Sequence, residues 1–418
     1  MSNRSDFLKT LGAAGAASLA FGPLSIARAA ADDSILVVIA QMGGCDFLNT
    51  VFSLEQYGRY HDLRRPAIST NDPVLPLLVS EEALAPMAFG KYAFHPRMRA
   101  FADLYAHGRL AVVLGVGLPG TESARLSHEA ARFDWHSASL HRLGLDGSGW
   151  VAAGLQLSEQ TVSIAPMIST SSTLPVLFQE ARMRGLAIGN TLESYALDVP
   201  AASDDEKARR LALFHALQEH APPGEASAVV YGRSAHVSAS LDRVAELAQQ
   251  YTAQDYPKGD DGELDTQLKS IARLIASGKG ARAYFATQDG YDTHAEQNRS
   301  HPGLLESFSS SIGRFYSYLR RHDLSSRVLI MTMTDFGRRA ASDASFGTDH
   351  GTAAASFFIG DAVRGGVYGE YPNLAKLDDD KNLEVPVDFR KQLATAAQHL
   401  QIELPSECRA YGAIPCLT

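Results

Sequence analysis

Apolar residues fall along this chain in two kinds of run. The short, nearly continuous ones are Ile35-Leu-Val-Val-Ile-Ala40, Leu110-Ala-Val-Val-Leu-Gly115, Val328-Leu-Ile-Met-Thr-Met333 and Ala355-Ser-Phe-Phe-Ile359. A strand with one wet face would alternate apolar and polar residues, so these runs predict strands covered on both faces. Arg282-Ala-Tyr-Phe-Ala-Thr287 reads as a further strand. The second kind has helical spacing. It covers 95–107, where Met98, Phe101, Leu104 and Tyr105 share a face, and recurs over 295–321 and 389–400. Strands alternating with helices predict an α/β fold, a doubly wound and mostly parallel sheet with helices on both faces. The alternation fails over about 150–280, which is polar, helix-prone and broken by an acidic stretch at Ser203-Asp-Asp-Glu206. One α/β domain over 31–418 is expected, with 150–280 as a mainly helical insertion or cap.

The first thirty residues have a different pattern. Arg4 and Lys9 precede a weakly apolar stretch, Leu11 to Phe21, and Ala27-Arg28-Ala29 supplies a small-residue cleavage site. This reads as an export signal of twin-arginine type, degenerate because Ser5 stands where the second arginine belongs. A periplasmic or secreted protein is expected. No later run reaches 18 apolar residues, so no integral membrane segment is expected in the mature chain. Lysine and arginine total 38 against 47 acidic residues, a net charge of −9, which argues against a nucleic-acid partner. Three cysteines, Cys45, Cys408 and Cys416, are too few for a disulfide scaffold. Cys408 and Cys416 could pair after export, and two unpaired thiols fit equally well.

Ligands of open α/β sheets bind beyond the carboxyl ends of the strands. Acids and imidazoles recur at those places here. Asp46 follows the first strand, Ser127-His128 the second, Asp292-Thr-His294 the third and Asp335 with Arg338 the fourth, while Asp349-His350 precede the fifth. Singly, each has a plain explanation. Asp46 can hold a turn or cap a helix, and Ser127 can be an ordinary N-cap. Asp292 and His294 alternate, so in extended backbone both can reach one metal ion. Arg338 and Arg339 can clamp an anionic substrate or lie on the surface. No G-x-S-x-G elbow, P-loop or dinucleotide fingerprint occurs.

The order of these blocks resembles a family of exported bacterial proteins, domain of unknown function family 1501, itself distantly similar to the alkaline phosphatase and sulfatase superfamily. The blocks that carry the resemblance include Gly43-Gly-Cys-Asp46, Asp292-Thr-His294 with Gln297, Asp335-Phe-Gly-Arg338 and Gly347-Thr-Asp-His-Gly-Thr352. Phe47 and Thr334-Asp335 depart from the family's usual Gly and Ser-Glu, and Phe336 stands where the wider superfamily has a histidine. The resemblance implies an alkaline-phosphatase-like fold and an exported metal-dependent hydrolase of a phosphate or sulfate ester, small or polymer-borne. Asp46, Asp292, His294, Asp335, Asp349 and His350 would hold one or two divalent ions (zinc, manganese or calcium). Ser127, His128 and Arg338 would be the catalytic group, with Ser127 or water as nucleophile. A non-catalytic secreted binding or assembly protein on the same fold is the alternative, with protein partners open. Amino-terminal sequencing of the protein from its native host should begin near Ala29 or Ala31, and recovery of Ser2 would count against export.

Overall fold

Each of the nearly continuous apolar runs forms a strand of one sheet. The computed structural model describes residues 34–418 except 66–70, 73, 120–125, 140–147, 158–164, 181–184, 193–202, 220–239, 241–242, 245, 248–249, 279 and 406–407, so the expected export signal lies outside the described residues. The strands are β1 (Ile35–Gln41), β2 (Leu110–Gly117), β3 (Met167–Ser169), β4 (Leu186–Ala187), β5 (Ala283–Gln288), β6 (Val328–Thr334), β7 (Ala354–Ile359), β8 (Gly366–Gly369) and β9 (Val387–Asp388). Their order is β8-β2-β7-β6-β1-β5-β3-β4, with β9 also pairing β2. β7 runs antiparallel to both of its neighbours, and the other pairings are parallel.

The two-sided burial predicted for β1 is visible residue by residue. Ile35, Val37 and Ile39 belong to one hydrophobic cluster, and Leu36, Val38 and Ala40 to another. The described helices used below are α1 (Tyr57–Arg64), α2 (Arg99–Ala106), α3 (His128–Ser137), α4 (Trp150–Leu157), α5 (Glu263–Ala276), α6 (Gln297–Arg321) and α7 (Phe389–Leu400). Phe101 of α2, Leu268 of α5 and Phe308 and Ile312 of α6 cover the first face. Trp135 of α3, Trp150 of α4 and Leu393 of α7 cover the second. A sheet so covered needs mostly apolar residues on both faces, which is why its strands lack alternation.

The middle of the chain is only partly as expected. It supplies helices, α4, Asp204–Glu219 and α5, but β3 and β4 also come from it and extend the main sheet beyond β5. These strands are three and two residues long, too short to register against a polar background. No disulfide joins Cys408 to Cys416, and both are buried, Cys408 donating to the carbonyl of Ala138 at 2.8 Å. No described helix is long and apolar enough to cross a membrane.

Candidate metal centre

Because every strand but β7 points one way, the loops after β1, β2, β5 and β6 open on the edge where β7 begins. The loops from β1 and β5 touch at Gly43. Its φ is +115°, and a Cβ there would lie 2.4 Å from the backbone nitrogen of Asp292, so the approach requires glycine. Gly43 N donates to Asp335 Oδ2 at 3.1 Å, which draws the β6 loop to the same place.

Three imidazoles and one carboxylate converge here, and the imidazoles share one arrangement. His128 Nδ1 lies 2.7 Å from Asp335 Oδ2, His350 Nδ1 2.7 Å from the carbonyl of Leu126, and His294 Nδ1 3.3 Å from Asp349 Oδ1. Carbonyl and carboxylate oxygens accept, so each neutral ring keeps its proton on Nδ1 and turns an Nε2 lone pair the other way. All three Nε2 atoms face Asp292. His294 and His350 stand 3.1 Å from its Oδ1 and 3.0 Å from each other, and His128 stands 3.5 Å from Oδ2. The ligand atoms of His128, Asp292 and His350 all lie within 4.8 Å of one another. Facing lone pairs repel unless a cation or proton comes between them. A cation set among them would relieve that repulsion, and His128, Asp292 and His350 form a possible metal site.

The electrostatics agree with this donor set. Burial pushes His350 below its ordinary value, which keeps the ring neutral near pH 7. Burial would raise Asp292, but the hydrogen bond and the charge of Arg338 outweigh it and hold the carboxyl at about 2. Asp335 is raised, chiefly by burial, against the opposing pull of Arg132 and His128. The ring of Phe336 packs against both His128 and His350, with centroids 4.8 and 4.4 Å away, and walls the centre on its apolar side.

The expected site residues divide. Asp292, His294, His350, Asp335 and Asp349 come together, the last two by orienting imidazoles through the hydrogen bonds given above. Asp46 does not face this group. Arg64 grips both of its oxygens at 2.7 Å, and Gln297 and the backbone of Leu48 donate to them as well, so no lone pair is turned toward the imidazoles. Arg338 is no substrate clamp either. It is completely buried, donating to the carbonyls of Gly43, Gly44, Tyr291 and Thr348 and to Asp292 Oδ1 at 2.6 Å. His128, expected among the catalytic groups, stands with the nitrogen donors. Ser127 is exposed at the N-terminus of α3, and its side chain makes no capping hydrogen bond.

Sequence reasoning missed two arginines, Arg64 and Arg132, and weighed a third, Arg339, only as an anion clamp or a surface residue. Arg64 pairs Asp46, Arg132 lies 3.6 Å from Asp335, and Arg339 lies 3.6 Å from Asp349. With Arg338 on Asp292, each of the four carboxylates has its own guanidinium. The crowded carboxylates are therefore balanced by arginine. The converging lone pairs of the imidazoles are not. Arg132 was detectable, being one helical turn beyond His128, whereas nothing in the polar stretch around Arg64 marks it.

Residues 149–411 match the model of a family described as a protein of unknown function, DUF1501. The chain belongs to that family. The matched segment holds Asp292, His294, Asp335, Asp349 and His350, while Ser127 and His128 precede it. No curated protein matches the DUF1501 chain significantly. Among solved structures it is similar to a protein in the alkaline phosphatase superfamily from Vibrio parahaemolyticus, at 10% identity and a TM-score of 0.37, over 88% of this chain and 66% of the other. It is likewise similar to a phosphonate monoester hydrolase from Silicibacter pomeroyi, at 12% identity and 0.36, over 91% and 75%. An alkaline phosphatase from the Antarctic bacterium TAB5 gives 11% and 0.34, over 80% and 94%. The chain thus spans just under two thirds of the first of these proteins, and likeness at this level says nothing of its chemistry.

The Asp46–Arg64 pair is fully buried. Burial pushes Asp46 up, but the charges of Arg64 and His301 and its hydrogen bonds hold it below its ordinary value. Its contribution to stability is therefore complete above the ordinary carboxylate range and is lost as pH falls through the depressed folded value. Arg64→Met should cost about 3–5 kcal/mol at neutral pH, because it strands a buried charge. The deficit should shrink as pH falls and Asp46 takes up a proton. Denaturant melts of both proteins across pH will show the narrowing gap, and a gap independent of pH would mean the pair is not ionised.

Proposed function

We propose that this protein is an exported, metal-dependent hydrolase of a phosphate or sulfate ester, with one divalent ion held by His128, Asp292, His294 and His350. The observation that carries the reading is the common posture of the three imidazoles, each anchored through Nδ1 and each turning Nε2 toward Asp292. Anchoring of the second ring nitrogen by a carboxylate or carbonyl is the habit of metal-ligating histidines. Three nitrogens and one oxygen favour zinc over calcium, which takes oxygen ligands. When bound, such an ion supplies Lewis acidity to the ester and to a nucleophile. The chain does the rest. Asp335, Asp349 and the Leu126 carbonyl fix the rings, and Arg338 fixes Asp292. Ser127, exposed beside His128, is the nucleophile, and the free N–H groups of the first turn of α3 face the anionic group of the substrate.

A non-catalytic binding protein is the second reading. It is favoured by the pairing of every carboxylate with an arginine, since the site is charge-balanced without an ion. Protein purified without chelator should carry one equivalent of zinc or manganese. His294→Ala and Asp335→Asn should each weaken metal binding by roughly ten- to a hundredfold. Absence of metal, with no thermal shift on adding any divalent ion, leaves the binding protein as the reading. Ser127→Ala should retain metal affinity and lose turnover of aryl phosphates and sulfates by roughly a thousandfold or more. Unchanged turnover would transfer the nucleophile's role to water.

A further inference from the structure

At the opposite edge of the sheet, where β2 begins and β7 ends, α2 and the second half of α6 border a groove of 720 Å³. The length of β2 separates it from the imidazoles by roughly 25 Å. The two helices touch where Gly313 meets Ala100, a contact so close that a Cβ on Gly313 would stand 2.8 Å from that of Ala100. Both residues line the groove.

Its lining is basic in a chain of net charge −9. Arg109, Arg314, Arg320 and Arg321 line it with His107, against one carboxylate, Asp103. Two of these guanidinium groups are held from behind, Arg109 by Asp361 at 3.3 Å and Arg314 by Asp265 at 2.9 Å and Asp260 at 3.1 Å. Arg320 and Arg321 are different. Both are exposed, and neither makes an ion pair among the described residues: Arg320 acts on Asp361 and Arg321 on Asp255 only from beyond contact distance, Arg321 donating to the backbone carbonyl of Asp255. Their place in the last turn of α6 suits the helix dipole. The dipole accounts for their charge but not for a ligand-sized groove beside them. Leu104 and Pro257 add apolar surface to the lining.

We propose that this groove binds a small organic anion, whose charged group is taken by Arg320 and Arg321 and whose apolar body lies against Leu104 and Pro257. The volume is that of a small-molecule site, and guanidinium forks match the oxygens of a phosphonate, phosphate or carboxylate. The site is independent of the chemistry proposed at the opposite edge.

Phenylphosphonate and inorganic phosphate, titrated calorimetrically into the full chain, test this. The His294→Ala protein serves as background, since its half-exposed side chain leaves the core intact and removes a donor at the imidazole centre. Phenylphosphonate should bind that background protein and bind more tightly than phosphate. Adding Arg320→Ala and Arg321→Ala should weaken it by at least about tenfold. Three results would overturn the proposal: no phenylphosphonate binding in the His294→Ala protein, equal affinity after both arginines are removed, or phosphate binding as tightly as phenylphosphonate.

Discussion

The side chain of Arg338 lies wholly inside the protein, and its guanidinium reaches the carbonyls of Gly43 and Gly44 after β1, Tyr291 after β5 and Thr348 before β7. Those segments lie far apart in the chain and make few regular ladder bonds with one another. A lysine has the charge but only one nitrogen, and cannot span acceptors on three segments. The fork thus satisfies backbone groups that would otherwise be buried without partners. It also carries the charge that keeps Asp292 ionised. Positioning and protonation at the centre both depend on this one residue.

Around it, polar groups are ordered by depth. Asp46, Arg64, His301 and Gln297 lie fully buried beneath the centre and are nearly all hydrogen-bonded to one another or to backbone. Cys45 joins this layer, pushed up to about 12 by burial, so it is an inert thiol and not a nucleophile. The imidazoles occupy the next layer, and Asp349 with Arg339 forms the rim. Groups deep in the protein must be paired because an unpaired charge there is costly. Groups at the rim keep lone pairs available because water tolerates them.

The fold was legible where the sheet is covered on both faces, since β1, β2, β6 and β7 need nearly continuous apolar runs that no surface element shares. β3 and β4 were not legible, because two or three residues at a sheet edge leave no periodicity to read. The gathering of Asp292, His294, Asp335, Asp349 and His350 followed from topology, as strands running one way deliver their loops to one edge. Roles were harder to read. Arg338 was expected to meet substrate because an arginine after a strand end looks the same whether buried or wet. Asp46 was expected to join the ligands because its partner Arg64 lies in an unremarkable polar helix. His128 was placed with the catalytic groups because the direction of its ring is set by Asp335, 207 positions away.

One small ladder has a mechanical meaning. Gly337–Arg338 pairs antiparallel with His350–Gly351, so Arg338 and His350 are cross-strand partners. His350 is therefore clamped to the buried guanidinium's own backbone, and His128 is fixed by a helix and by Asp335. The His294 backbone is packed against Gly347, but its ring is half exposed and steadied through Asp349, itself half exposed. The three imidazoles thus differ in exposure, His128 and His350 lying deeper than His294. Solvent therefore reaches the centre from the His294 side, while the backbone ladder and the α3 helix close it behind His350 and His128.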